Sequence, residues 1–289
     1  MHKPLLGAHM SIAGGPANAL LRGRSIDCDA IQMFTRNANR WDSRDLTDKE
    51  IAAFHEAREA TGLAHVVAHS SYLINLGSPD EALWARSQGA LATELERCRL
   101  LGIAHYVLHP GAHMGAGEEA GLQRIADGLT ATLAAFGDGV TIVLENTAGQ
   151  GTALGYSFEQ LHWLLENSPA ERLGVCFDTA HALAGGYDLR DAAGYAATWD
   201  AFDRTIGLER LAAIHLNDSK RDLGSRVDRH THIGEGALGL EPFRLLVNDV
   251  RLRHIPMLLE TPKNEDLAED IMNLATLRSL VAAAPPPEG

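Results

Sequence analysis

Residues 140–146 read Val-Thr-Ile-Val-Leu-Glu-Asn, a nearly unbroken apolar run that stops on a carboxylate. A strand with one face in water alternates apolar and polar residues, whereas a strand buried on both faces reads as a continuous run. The same construction recurs at 5–9, 30–34, 64–69, 105–109, 173–178, 211–215 and 255–260. Between the runs lie longer stretches with helix signals. Thr47-Asp-Lys-Glu50 and Ser157-Phe-Glu-Gln160 are capping boxes, and Ser78-Pro79 sets a cap residue before a first-turn proline. Apolar residues fall at helical spacing over 83–101 and 122–136. Strands alternating with helices predict an α/β fold with parallel strands and right-handed crossovers, and eight strands is the number that closes a TIM barrel, (β/α)8. No G-x-G-x-x-G or P-loop follows any strand, which disfavours an open doubly wound sheet. Residues 1–282 are read as one barrel domain and 283–289, Ala-Ala-Pro-Pro-Pro-Glu-Gly, as a disordered tail.

Working outward from Glu145, six consecutive runs end on a residue able to bind a metal. They are His69 in VVAHS, His109 in YVLHP, Glu145 in IVLEN, Asp178 in VCFDT, His215 in AAIHL and Glu260 in MLLET. In a barrel the strand C-termini converge on one face, where active sites are built. One polar strand end is ordinary. Six together would crowd imidazoles and like-charged carboxylates into one bowl, at a cost that bound cations remove. Asp178-Thr-Ala-His181 spaces a carboxylate and an imidazole on one side of a turn, and Asp228-Arg-His230 places two ligand types at alternate positions of a loop. These bring the candidates to nine nitrogen and oxygen donors with no thiolate, a set suited to a multinuclear zinc or manganese site.

The bulk numbers are those of a globular protein: 45% hydrophobic and 22% charged residues. The apolar stretches are far shorter than the roughly 20 residues of a membrane helix, and the start, Met-His-Lys-Pro, predicts no secretory signal. Cys28, Cys98 and Cys176 form no C-x-x-C pair and are expected to be buried small hydrophobes in a reducing compartment. The net charge of −13 argues at first sight against a nucleic-acid partner. Net charge describes the far field, however, and a binding face can be locally positive. Four site carboxylates with three divalent ions and one hydroxide come to about +1, a focus for a phosphodiester anion.

The residues resemble the endonuclease IV family of metal-dependent abasic-site endonucleases. The matching strings are GAHMS (7–11), AGG (13–15), HSSYLINLG (69–77), HPGAH (109–113), ENTAGQG (145–151), GVCFDTAH (174–181), AGGYD (184–188), HLNDSK (215–220), GSRVDRH (224–230), GEG (234–236) and LLET (258–261). They cover roughly residues 5 to 280 in family order. The resemblance implies a barrel similar to the metal-dependent sugar isomerases and a trinuclear zinc centre, with Mn²⁺ admissible at some positions. His69, His109 and Glu145 would hold one ion. Glu145 would bridge to a second, held by Asp178, His215 and Glu260, and His181, Asp228 and His230 would hold the third.

The implied reaction is hydrolysis of the phosphodiester 5′ to an abasic site, leaving a 3′-hydroxyl, together with removal of 3′-blocking groups. A hydroxide bridging the first two ions would attack phosphorus, with Glu145 and Glu260 as the catalytic carboxylates that position metals and nucleophile. The implied partner is damaged double-stranded DNA with the abasic nucleotide flipped out. Tyr72 and Leu73 match family residues that insert into the duplex. Asn39 stands where the family has an arginine, so Arg36 and Arg40 are the candidate substitutes. Lys220, Arg226 and Arg229, with Arg221, are candidate phosphate contacts. The chain is expected to act as a monomer in a bacterial cytoplasm, on the nucleoid. His9 and His113 are expected in a second layer or facing DNA, while His2, His55, His162 and His254 read as surface and His232 has no assigned role. The competing readings are a divalent-metal sugar isomerase or epimerase on the same barrel, and a non-catalytic zinc or DNA-binding module. A metal count near three separates the first from the family reading, and turnover separates the second.

Overall fold

A computed structural model describes residues 3–282; the tail 283–289 and His2 lie outside the described residues. Eight strands, β1 (Leu5–His9), β2 (Ala30–Phe34), β3 (His65–His69), β4 (His105–Leu108), β5 (Thr141–Glu145), β6 (Leu173–Asp178), β7 (Leu211–His215) and β8 (Pro256–Leu259), close into a barrel in chain order. Every neighbouring pair is parallel, and β8 returns to β1. The outer ring comprises α1 (Ala17–Ser25), α2 (Asp48–Thr61), α3 (Glu81–Leu100), α4 (Glu118–Phe136), α5 (Phe158–Glu166), α6 (Thr179–Gly185), α7 (Ala192–Thr205), α8 (Glu241–Asn248) and α9 (Ala268–Ser279). Two helices, α6 and α7, follow β6, where the other strands have one each. No helix among the described residues is long and apolar enough to cross a membrane.

The strand runs fall where the sequence puts them, to within a residue at either end, because each run is apolar on both faces. The helix starts need two corrections. Thr47 and Glu50 form the full reciprocal box. Ser157 accepts from the Gln160 N–H, but the Gln160 side chain turns away to the Gly155 N–H (2.7 Å) and the Glu118 carboxylate (3.0 Å), so only half the box forms. Helix α3 begins at Glu81, capped by Asp80 through the Leu83 N–H (2.8 Å), and Pro79 lies before it. A carboxylate at the positive end of a long helix outcompetes a hydroxyl two residues earlier. The Ser78 hydroxyl instead accepts from the Asp80 N–H and holds the entering turn.

Two apolar layers result. The larger lies between the strands' outer faces and the helices, with Phe158, Phe177, Trp199 and Phe202 in mutual ring contact. The inner layer is one residue per strand from β2 to β8: Ala30, Val67, Val107, Val143, Cys176, Ala213 and Leu258. On β1 the level is taken by Gly7, where a Cβ would stand 1.7 Å from the Ala30 carbonyl oxygen. Strand side chains alternate faces with period two, so residues two further on point the same way, one level higher. Those residues are His9, Gln32, His69, His109, Glu145, Asp178, His215 and Glu260. The barrel therefore sets one polar side chain from every strand into a single ring above a dry plug. All three cysteines are buried and free, and Cys176 is part of the plug.

Candidate metal centre

The ring and two loops converge in an open basin of about 450 Å³. Glu145 is fully buried among the ring residues, with one carboxylate oxygen 3.1 Å from the Nε2 of both His69 and His109. Its other oxygen is 2.9 Å from His215 Nδ1 and 3.3 Å from His181 Nδ1. His215 Nδ1 is also 3.2 Å from Glu260 and 3.8 Å from Asp178. His181 and His230 each stand 3.3 Å from Asp228, and 3.4 Å from one another. All nine residues singled out as ligands thus meet in one place.

Their donor atoms sort into three groups, each with its atoms within 4.8 Å of one another: His69–His109–Glu145, Glu145–Asp178–His215–Glu260, and Asp178–His181–His230. Glu145 joins the first two. Asp178 joins the second and third, a link the sequence reading did not contain, and Asp228 closes the third from its exposed side. A tetrahedral ion with bonds of roughly 2.1 Å separates its ligand atoms by about 3.4 Å, and the contacts within these groups, from 2.9 to 3.8 Å, bracket that value.

The histidine tautomers fit the same purpose. A carbonyl only accepts, so the Nδ1–H of His69 donates to Ser70 O (2.9 Å) and that of His181 to Asn146 O (2.9 Å). Each ring is left with an Nε2 lone pair aimed into the basin. His215 is turned the other way: Nε2–H donates to Gln32 Oε1 (2.7 Å), leaving Nδ1 for the metal side. Burial disfavours charge on Glu145, but the His215 and His109 imidazoles outweigh it and hold its carboxyl well below the ordinary range. Burial also pulls His181 down, and Asp178, Asp228 and Glu145 more than reverse it. The basin is therefore built to carry positive charge against its carboxylates, whether as protons or as cations.

Three residues of this apparatus were not legible as site residues. Gln32 donates from Nε2 to His9 Nδ1 (3.0 Å) and to Glu260, while its Oε1 takes the His215 proton. Asn146 exchanges hydrogen bonds with the backbone of Asp178, and Asn217 donates to Asp178 Oδ2 (2.6 Å) while accepting from the Glu260 N–H (2.8 Å). A signal for the asparagines existed, since each lies within two residues of a ligand. Gln32 had none, because it falls in the middle of an apolar run. Replacing Gln32 with leucine frees the His215 ring and leaves Glu260 without its amide donor; divalent-metal affinity at the second group should fall about 10–100-fold. Competition with a chromophoric chelator measures this, and unchanged affinity would refute the role.

The loop ligands are placed by backbone contacts. Residues Asp218–Ser219 pair antiparallel with His230–Thr231, and the buried Asp218 carboxylate accepts the N–H groups of Gly234, Gly236 and Leu238. A Cβ at Gly236 would come within 2.3 Å of that carboxylate, so only glycine closes the loop this tightly. Gln150 accepts from the Asp228 N–H (2.9 Å), which ties the 145–151 and 224–230 strings together in space.

The expected DNA-facing residues divide. Tyr72 stands 68% exposed on the basin rim with its ring 5.3 Å from Phe34; Leu73 beside it is half-buried. Asn39, Arg40, Lys220 and Arg229 are exposed, and Arg229 lines the basin. Arg226 is exposed but stacks its guanidinium 3.7 Å over the Tyr156 ring. Arg36 is a correction: it is buried and pairs with Glu94 (2.7 Å), so it cannot replace the family's loop arginine. His9 joins the ring through Gln32, where burial lowers its pKa to about 4, whereas His113 spends its Nδ1 on the N–H groups of Gly115 and Gly117. His232 is held by Asn273.

Fold and basin together define a parallel barrel whose strand ends gather three adjoining groups of side chains able to hold metal ions. A family model described as xylose isomerase-like TIM barrel matches residues 21–278. A probable endonuclease 4 of Chloroflexus aggregans is 55% identical over 280 residues, covering 96% of this chain and 98% of its own. The solved endonuclease IV of Thermus thermophilus superposes with a TM-score of 0.86 at 39% identity, covering 96% and 98%. The chain belongs to the endonuclease IV family of metal-dependent abasic-site endonucleases. A D-tagatose 3-epimerase-like protein, TM-score 0.69 at 18% identity with 95% and 96% covered, shares the fold alone.

Proposed function

We propose that this chain, acting as a monomer, hydrolyses the phosphodiester 5′ to abasic sites in duplex DNA, leaves a 3′-hydroxyl, and trims 3′-blocking groups, using three zinc ions. The observation that carries this reading is the third ligand group. Asp178, His181 and His230, with Asp228 beside them, adjoin the two groups that share Glu145. An isomerase working with one or two ions has no use for it.

Bound in these groups, the ions supply Lewis acidity toward the phosphoryl oxygens and lower the pKa of the attacking water. The protein supplies the geometry. His69, His109 and Glu145 would hold the first ion and Asp178, His215 and Glu260 the second, with Glu145 common to both groups. Glu145 and Glu260 would position these ions and orient a nucleophile for in-line attack. His181, Asp228 and His230 would hold the third ion, and Arg229, which lines the same basin, can offer a cation to a phosphate. The basin is large enough for a sugar-phosphate without a base, and extruding an abasic nucleotide is easy because it has lost its stacking. Tyr72, at the rim, can fill the gap left in the duplex.

Two experiments test this. A duplex carrying one stable abasic analogue is incubated with the protein and the cut mapped on a gel. A single incision 5′ to the lesion with a 3′-hydroxyl end, absent from undamaged duplex, is expected; an uncut lesion duplex would overturn the reading. For Tyr72→Ala, affinity for the abasic duplex should drop about tenfold, on the scale of one lost aromatic stacking contact, with zinc content unchanged. Equal binding by both proteins in a fluorescence-anisotropy titration would remove Tyr72 from the interface.

A further inference from the structure

The two loops that reach out beside the basin are joined underneath by one buried carboxylate. Glu94, on α3, is 1% exposed and lies between the loop after β2, which carries Asn39 and Arg40, and the loop after β3, which carries Tyr72. One of its oxygens accepts from Arg36 Nε (2.7 Å); the other accepts from the Ser71 N–H (3.1 Å) and the Tyr106 hydroxyl (2.8 Å). Arg36 spends its remaining donors on the same two loops, giving hydrogen bonds to the carbonyls of Arg40 (2.6 Å) and Trp41 (2.8 Å) and to the Ser71 hydroxyl (3.0 Å). One helical turn further on, Arg97 donates to the Thr35 carbonyl (2.7 Å). None of these groups belongs to the metal centre.

A buried ion pair is weak evidence for stability, since apolar residues of the same volume often serve as well. Here the pair does something apolar residues cannot. Its fixed fork of donors sets the distance between two loops that make no strand pairing beyond Phe34 and His69. We propose that Glu94 is a positioning residue: with Arg36 it locks the Asn39–Arg40 loop and the Tyr72 loop into one preformed wedge that enters the duplex at the lesion. This rests on the proposed action at abasic sites. The gain is preorganisation, because loops already in place lose little freedom when DNA binds.

The variant is Glu94→Gln, which keeps the shape but gives up the charge and one acceptor. Two substrates are compared: a duplex with an abasic analogue, and bis(p-nitrophenyl) phosphate, a small diester that needs no wedge. KM for the abasic duplex should rise about tenfold with kcat close to wild type, while turnover of the small diester and zinc content stay unchanged. In a Tyr72→Ala background the same change should add little, because both act through the wedge. If Glu94→Gln fails to fold, Tyr106→Phe removes one of the three donors from the carboxylate and should give a smaller KM rise of the same kind. Equal losses on both substrates, or additive effects with Tyr72→Ala, would show a merely structural role and overturn the proposal. Wild-type protein that leaves the abasic duplex uncut would instead bring down the functional reading, and the proposal with it.

Discussion

Glu145→Ala should abolish turnover of abasic DNA, by about 10⁴-fold or more, and reduce bound zinc from about three ions per chain to about one. The reason is its place between two ligand groups. Among the described residues, no other side chain touches both His69 with His109 on one oxygen and His215 with His181 on the other. Removing it leaves those imidazoles around a hole, with neither of the first two ion positions complete. The third group keeps Asp178, His181, His230 and Asp228 and should retain its ion. Glu145→Gln, which preserves volume and loses only charge, should show the same direction, because a neutral amide cannot balance two divalent ions. Metal analysis of the purified variants, together with single-turnover rates, decides the matter. Wild-type zinc content or wild-type rate in either variant would sink the assignment of Glu145 as the bridge.

Stripping the wild-type protein with a strong chelator should abolish turnover and also lower the unfolding midpoint, on the order of 10 °C for each ion removed. Glu145 and Asp178 are fully buried, and their carboxylates have imidazoles and each other for company. Ions that bind only the folded chain stabilise it by about 4 kcal/mol each when present at about a thousand times Kd. For a domain of this size each kcal/mol moves the midpoint by roughly 2–4 °C. Added zinc should restore both properties. Magnesium should restore neither, since imidazole-rich sites of this geometry discriminate against it. A chelated protein with unchanged midpoint and rate would refute a resident metal. A restored content of one or two ions per chain would instead favour the isomerase reading.

The barrel was readable because it is built from repetition. Eight apolar runs of strand length, each doubly buried, leave little choice of fold, and their ends are visible as the first polar residue after the run. The candidate ligands were readable for the same reason: His69, His109, Glu145, Asp178, His215 and Glu260 are those end residues, and the structure gathers them into the clustered groups. Helix starts were less legible. At Ser78-Pro79 a stronger local cap, Asp80, took the helix start, and at Ser157 the local Gly155 N–H together with a tertiary neighbour, Glu118, drew the Gln160 side chain away.

Arg36 shows where linear reading fails. In sequence it is one basic residue in a loop of several, and its neighbours Asn39 and Arg40 do reach solvent. Only the packing of α3 against that loop puts Glu94, 58 positions later, within 2.7 Å of it and turns it inward. Gln32 is the same case in reverse. An amide inside an apolar run reads as a defect, until closure of the barrel brings His9, His215 and Glu260 around it.

By itself, the order of residues determined which side chains stand at the open end of each strand, because alternation along a strand is a property of the backbone. What surrounds each of them, which imidazole nitrogen is free, that Asp178 serves two ligand groups, and which arginine is buried came only from the tertiary structure. Those depend on distances between strands and helices far apart in the chain, and such distances exist only once the barrel has closed.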